Sequence, residues 1–328
     1  MRTHLAAALI VVVSCQTATP SVTGSPTPPG TDAIRSVAVA TATVVAWRRL
    51  ADIPTPRSEV AAAAAAGRIY IIGGFGGGTI VERYDPGTDR WDRGPSLPIA
   101  VDHAMAASVG GRTVYVFGGY ANGRATARSF RLQLGADRWE EIAPMPAPRA
   151  AAAAVARGDK VYLVGGADGD RLVAPTWIYE TAADAWRTGA AIPTPRDHLA
   201  GADLDAKVCA VGGRRLSLTS NLPTLECYDT GGDTWEKLAD APTPRGGVGA
   251  AVIGETRLVF VGGEQPQGTF REVEIFDART RSWSRAPDLP APRHGVGVAA
   301  IGATVYVMTG GPRPGGSQTV ICEALDLR

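Results

Sequence analysis

The sequence predicts an all-β fold, a closed propeller of six four-stranded antiparallel blades, and three observations predict it. Six adjacent glycine pairs each close a short apolar run: Gly73-Gly74, Gly118-Gly119, Gly165-Gly166, Gly212-Gly213, Gly262-Gly263 and Gly310-Gly311, separated by 45, 47, 47, 50 and 48 residues. Six tryptophans keep the same period: Trp47, Trp91, Trp139, Trp186, Trp235 and Trp283. The composition, with 40 Gly and 24 Pro in 328 residues and only 20% charged, suits short strands and tight turns better than long salt-bridged helices. A period of this length over nearly the whole chain means one structural unit copied and stacked.

Within the unit from Arg57 to Pro98 each element has a local cause. Residues 60–66 form a small apolar run, and alanine fits the innermost strand of a radial array, where space near the axis is tight. Gly67-Arg68 turns the chain. Ile69-Tyr70-Ile71-Ile72 is β-branched and aromatic, as a buried strand should be, and Gly73-Gly74 stops it. Residues 80–85 alternate in polarity like a strand with one covered face. Pro86-Gly87-Thr88-Asp89 is a turn by composition, and Trp91-Asp92-Arg93 begins the fourth strand. Tyr84 and Trp91 are expected to cover the bare backbone of the glycine pair. The column of Tyr84 reads Leu132, Tyr179, Tyr228, Phe276 and Leu325 in the other units, which is the behaviour of a packing position.

The ends of the chain predict how the ring closes. Residues 44–49 are a fourth strand lacking its first three, and 296–301, 304–308 and 320–325 are three strands lacking a fourth. Joining them completes a sixth blade and removes an exposed sheet edge.

Residues 1–15 read as a secretory signal. Arg2 and His4 precede an apolar stretch, 5–13, too short to span a bilayer permanently. Val12-Val13-Ser14-Cys15 resembles the lipobox of bacterial lipoproteins, with Cys15 as the lipidated residue. Residues 16–43 are rich in Thr, Ser, Pro and Gly and read as a tether, and 44–328 as the propeller. The expectation is an exported monomer, held at the cell surface or in the periplasm by its N-terminal lipid. A formal charge of +1, with acids and bases interspersed, leaves no footprint for nucleic acid. Cys209 and Cys227 fall on neighbouring strands of one unit, so a cross-strand disulfide and a pair of buried thiols are both open.

Gly-Gly, then Tyr-Asp, then a Trp six residues beyond the Asp, then Pro-x-Pro-Arg resembles the kelch repeat, over roughly residues 44 to 327. Departures are local: Leu132-Gln133 replaces Tyr-Asp in the second repeat, and Val101 stands where the other five have Arg. The resemblance implies a propeller whose ligands meet the mouth of the central channel. Arg57, Arg149, Arg196, Arg245 and Arg293 are candidates there, since guanidiniums facing one mouth would attract a carboxylate or sulfate. The other reading is that each pairs with an acid or carbonyl of its own or the adjacent blade.

The next two columns break the symmetry. The first holds Ser58, Asp102, Ala150, Asp197, Gly246 and His294; the second holds Glu59, His103, Ala151, His198, Gly247 and Gly295. A polar half facing an open half would form an asymmetric pocket; the alternative is that the histidines only cap inner strands. The loops after Gly212-Gly213 and Gly262-Gly263 are long enough to make contacts, and Arg214, Arg215 and Tyr120 are candidates.

No Ser-His-Asp pattern, CxxC, zinc-ligand spacing, P-loop or dinucleotide fingerprint is present. Copper radical oxidases with kelch blades need two His and two Tyr ligands, one cross-linked to Cys, and no such pairing is visible. Sialidase Asp-boxes are absent, with only an echo at Gly232-Asp233-Thr234-Trp235. No cofactor and no metal are therefore expected. The leading reading is a non-catalytic binding module for a protein or carbohydrate (glycan) ligand. The alternative is a sugar-modifying enzyme of the kelch epimerase kind, similar to sialic-acid mutarotases, with Glu59 and His103 or His198 as acid and base.

Overall fold

Small side chains decide which strand reaches the axis. Ala61–Ala65, Met105–Val109, Ala153–Arg157, Ala200–Leu204, Gly246–Ile253 and Gly297–Ile301 stand around a central channel, each touching the next and the last touching the first. A Cβ added to Gly249 would come within 2.2 Å of Val298 in the neighbouring blade, so crowding at the axis selects glycine and alanine. These strands belong to a computed structural model that describes residues 46–328. The expected signal, Cys15 and the tether lie outside the described residues.

Each inner strand leads outward through three antiparallel partners. In the first blade the order is Ala61–Ala65, Arg68–Ile72, Val81–Asp85 and Arg90–Arg93. The second strand is buried because blades flank it on both sides, whereas the outermost strand is largely exposed. The sixth blade runs Gly297–Ile301, Thr304–Met308 and Cys322–Asp326, then takes Trp47–Arg49 as its rim strand, with Trp47 opposite Leu325. The ring is thus six-bladed and closed by its own first strand.

The core is six clusters rather than one. Each cluster is shared by two neighbouring blades, as where Tyr70, Ile72 and Val81 of the first meet Val114, Val116, Phe130 and Trp139 of the second. Every blade therefore buries its faces only against its neighbours, as a solenoid repeat does.

Two expectations about the glycine pairs are corrected. The residues Gly73 and Gly74 do adopt positive φ, 60° and 89°, and a Cβ on either would come within 2.5 Å of a carbonyl oxygen, of Val101 or Ser58. Tyr84 and Trp91 do not cover them. Tyr84 pairs in register with Ile69, at the opposite end of the second strand, and packs there with Trp91 at 5.2 Å and Tyr306 of the preceding blade at 6.1 Å. In the sixth blade the pair is also shifted by one residue. Gly310 N donates to Arg57 O as Gly74 N donates to Val101 O, so Thr309, with φ 54°, holds the first glycine's place.

Cys209 and Cys227 lie opposite each other in the fourth blade, with Cα atoms 4.0 Å apart, and are joined as a disulfide. Cys322 is a free buried thiol.

Candidate functional site

The Arg column does not reach the mouth. Arg57, Arg149, Arg196, Arg245 and Arg293 are all 0% exposed, so the expectation that they present guanidiniums to a ligand is corrected. Four of them meet a buried glutamate two residues before the Tyr column. Arg57 pairs with Glu82, Arg196 with Glu226 at 2.6 Å, Arg245 with Glu274 at 3.1 Å and Arg293 with Glu323 at 2.8 Å. In Pro-Thr-Pro-Arg units the threonine donates to the same glutamate, as Thr194 does to Glu226 at 2.7 Å. Where the Arg is missing, so is the Glu: Val101 accompanies Phe130. Arg149 has Trp177 in place of the acid and lies 3.7 Å over its ring, and burial alone pushes its guanidinium pKa down. A buried charge must be paired or stacked, and the blade supplies the partner.

The column two residues on does reach the axis. Glu59, His103, Ala151, His198, Gly247 and Gly295 all have positive φ, between 51° and 72°. Their backbones form a belt: the N–H of His103 donates to Glu59 O, Ala151 to His103, His198 to Ala151, Gly247 to His198 and Gly295 to Gly247, at 2.8–3.0 Å. This left-handed step turns the side chains toward the channel, where all six line a cavity of about 80 Å³. Three polar side chains, Glu59, His103 and His198, come from the first, second and fourth blades, with Ala151 between the two histidines. Ala151, Gly247 and Gly295 add no polar side chain.

The polar set is tightly ordered. His103 Nε2 lies 3.3 Å from Glu59 Oε2, and its Nδ1 lies 2.6 Å from Asp102. His198 Nδ1 lies 2.6 Å from Asp197, and the two imidazoles meet edge to face at 4.9 Å. Phe75 and Tyr120 press on the His103 ring at 5.3 and 5.4 Å. His294 Nδ1 reaches the other oxygen of Glu59 at 2.9 Å, while its Nε2 reaches Arg313 O at 3.1 Å. Both nitrogens of His294 face acceptors, so both must donate and the ring is an imidazolium. Gly311 makes room for it: a Cβ there would come within 2.3 Å of His294 Nε2. Glu264 completes the set, accepting from Arg214 Nη1 at 2.7 Å and lying 3.5 Å from His294.

The electrostatics follow from these contacts. Burial would raise the Glu59 carboxyl, but His103, His294 and His198 together hold it well below the usual carboxylate range. Burial and the nearby cations Arg214 and His103 push the His198 imidazole down, against the pull of Asp197. Burial opposes protonation of His294, and Glu59 with Glu264 overcomes it and raises the pKa.

Beside the axial cavity a second one of about 410 Å³ opens, lined by Tyr120, Asp197, His198, Arg214, Leu216 and Leu218 among others. Leu216 is 44% exposed, the most exposed large hydrophobic side chain among the described residues. It has φ 60°, and its N–H donates to Asp197 Oδ1 at 2.8 Å.

The structure therefore brings together Glu59, Asp102, His103, Asp197, His198 and His294, and adds Tyr120 and Arg214 from the loops. Arg215 stays exposed. Glu264 is the residue that sequence reasoning did not place. Its signal was the position after the glycine pair, where Phe75, Tyr120, Ala167, Arg214, Glu264 and Gly311 form a third column that varies from blade to blade. The one-residue shift at Thr309-Gly310 hid that column.

Known proteins share this pattern. The family model described as the KLHDC2/KLHL20/DRC7 Kelch-repeats domain matches residues 24–191. Kelch-like protein 35 of Mus musculus is 32% identical over 106 residues, 31% of this chain and 17% of that protein. Kelch repeat protein M-T8 of Myxoma virus (strain Lausanne) is 31% identical over 115 residues, 33% of this chain and 22% of that protein. The matched region thus spans less than a quarter of either relative. Repeat pattern, blade geometry and family model agree that the chain belongs to the kelch-repeat family and is built as a six-bladed kelch propeller.

Proposed function

We propose that the propeller is an exported binding module, lipid-anchored through Cys15, that engages a partner protein at the loop face around the channel mouth. The observation that carries this reading is Leu216. A leucine nearly half exposed, in a backbone conformation costly for a branched residue, is held at the rim of a cavity that also offers Arg214 and Tyr120. Arg and Tyr are residue types that interaction hot spots favour, and the held Leu216 gives a partner apolar area to cover beside them. The disulfide between Cys209 and Cys227 supports an oxidising compartment.

A photoreactive residue placed at Leu218 on intact cells tests the reading. One discrete cross-linked protein is expected there, lost with Leu216→Ser, and none from the same probe at Arg90 on the outer rim. Equal labelling at both positions would defeat the reading, and a hit on a glycan array would replace the protein with a sugar.

The convergence of Glu59 with His103 and His198 favours a second reading, the sugar-modifying enzyme. It requires that the purified protein accelerate anomer exchange of sialic acid, followed by NMR, and that Glu59→Gln abolish the acceleration.

A further inference from the structure

We infer that Nε2 of His103, Nε2 of His198 and Oε2 of Glu59 form a binding site for a divalent first-row metal ion, zinc foremost, on the propeller axis. The three side chains come from the first, second and fourth blades and offer ligand atoms that all lie within 4.8 Å of one another. Zinc ligands about 2.0–2.2 Å from the ion sit about 3.3–3.6 Å apart at tetrahedral angles. The 3.3 Å between His103 Nε2 and Glu59 Oε2 is already such an edge. Two imidazoles and one carboxylate suit zinc and its neighbours better than calcium or magnesium.

The surroundings of the three groups make the stronger argument. A metal-bound histidine almost always donates its other N–H to a carboxylate or carbonyl, which fixes the tautomer and aims the free lone pair. His103 and His198 both do so, each through Nδ1 to the aspartate directly before it, Asp102 and Asp197, at 2.6 Å. That leaves Nε2 for the ion on both rings; on His103 it faces only Glu59 Oε2, itself one of the three ligands, and the ion takes the place of its proton. Glu59 is anchored likewise: His294 Nδ1 holds Oε1 at 2.9 Å, leaving Oε2 for the axis. His294 itself is not one of the three ligands, because its Nε2 is spent on the backbone carbonyl of Arg313 and its Nδ1 on the outer oxygen of Glu59, and Glu264 beside it is paired with Arg214. A strand-capping role needs none of these three outer partners.

The remaining belt positions supply the vacancy that a three-ligand site requires. Ala151, Gly247 and Gly295 bring no polar side chain, so a fourth coordination position stays open to water or to a ligand group entering the mouth. The inference goes beyond the proposed function and does not rest on it, since metal binding is measured with no partner present.

The test uses the full-length protein without a polyhistidine tag, stripped with a chelator and titrated with zinc alone by calorimetry. One zinc per chain is expected, with His103→Ala and His198→Ala losing stoichiometric binding. Ala151 occupies the same belt position in the third blade, so both variants should fold, and unchanged circular dichroism checks this. Asp102→Asn, which leaves every ligand in place, should weaken affinity about 10–100-fold. Cobalt should give the intense visible absorption of a four- or five-coordinate site in the native protein and not in Glu59→Gln. Absence of stoichiometric binding by the native chain, or binding unchanged in both histidine variants, overturns the inference and leaves partner binding at Leu216 untouched.

Discussion

At the scale of single residues, the contrast between Arg196 and Arg149 shows what the Arg column is for. Arg196 has no exposure and is bound by Glu226 and by the carbonyls of Thr194, Ala210 and Gly212. Removing it strands a buried carboxylate, so Arg196→Ala should cost about 3–5 kcal/mol in urea unfolding. Arg149 has no acid to strand and rests on Trp177 with bonds to Leu163 O and Pro175 O. Arg149→Met should therefore cost less than half as much, because the apolar stem and the ring contact survive. Equal losses at the two positions would show that the glutamate is not what sets the energy. A mouth ligand that survives Arg196→Ala on a protein with a lowered melting temperature would confirm a purely structural column.

At the scale of the element, the rim tryptophan of every blade clasps a carbonyl of the preceding blade, and in three blades the aspartate two residues before it adds a second bond. Asp184 Oδ1 accepts from Ala143 N–H at 2.9 Å, and Trp186 Nε1 donates to the carbonyl of the same Ala143 at 3.0 Å. Asp89 with Trp91 on Ala51, and Asp233 with Trp235 on Ala190, repeat the geometry. Only these three blades have Tyr in the Tyr84 column, and its hydroxyl donates to the clasp aspartate, at 2.6 Å from Tyr179 to Asp184. In the second blade Pro95 has no N–H to offer, and Leu132 replaces the Tyr. Tyr179→Phe should cost about 1 kcal/mol, the net worth of one hydrogen bond.

The Tyr179 hydroxyl, helped by Ala143 N–H, also holds the Asp184 carboxyl below its ordinary value. A carboxyl depressed in the folded state contributes stability above the ordinary carboxylate range, near pH 4, and loses it as pH falls through the lower folded value. The native protein should thus be more stable than Asp184→Asn at neutral pH, by about 1 kcal/mol or less at so exposed a group. Thermal midpoints recorded across pH should show this gap closing in acid. A gap that persists at low pH would assign the effect to packing instead.

At the scale of the molecule, closure rests on three residues. Trp47–Arg49 covers the edge of Cys322–Asp326, and Trp47 Nε1 donates to Pro287 O of the fifth blade at 2.8 Å. With six two-blade clusters and no common core, an open ring would lose its cooperativity at the unpaired edge. A chain starting after Arg49 should self-associate through that edge and melt earlier, as size-exclusion chromatography and thermal scans would show. A monomer of unchanged melting temperature would mean that the rim strand contributes little.

The period of glycine pairs and tryptophans determined the blade count, the four strands of each blade and the closing partner of the first strand. Those features depend on patterns that recur within about 48 residues, and a linear sequence displays them directly. The belt of Glu59, His103 and His198 was legible too, as the place where symmetry fails. Which way a side chain points was not. Arg196 and His198 lie two residues apart in the fourth repeat, yet the first turns into the blade to meet Glu226 and the second turns to the axis, because the left-handed backbone step at the belt separates them. Likewise the sequence holds the ligating groups 44 and 95 residues apart, with no spacing to mark them. Only ring closure makes them neighbours, since it brings every blade to one axis whatever its place in the chain.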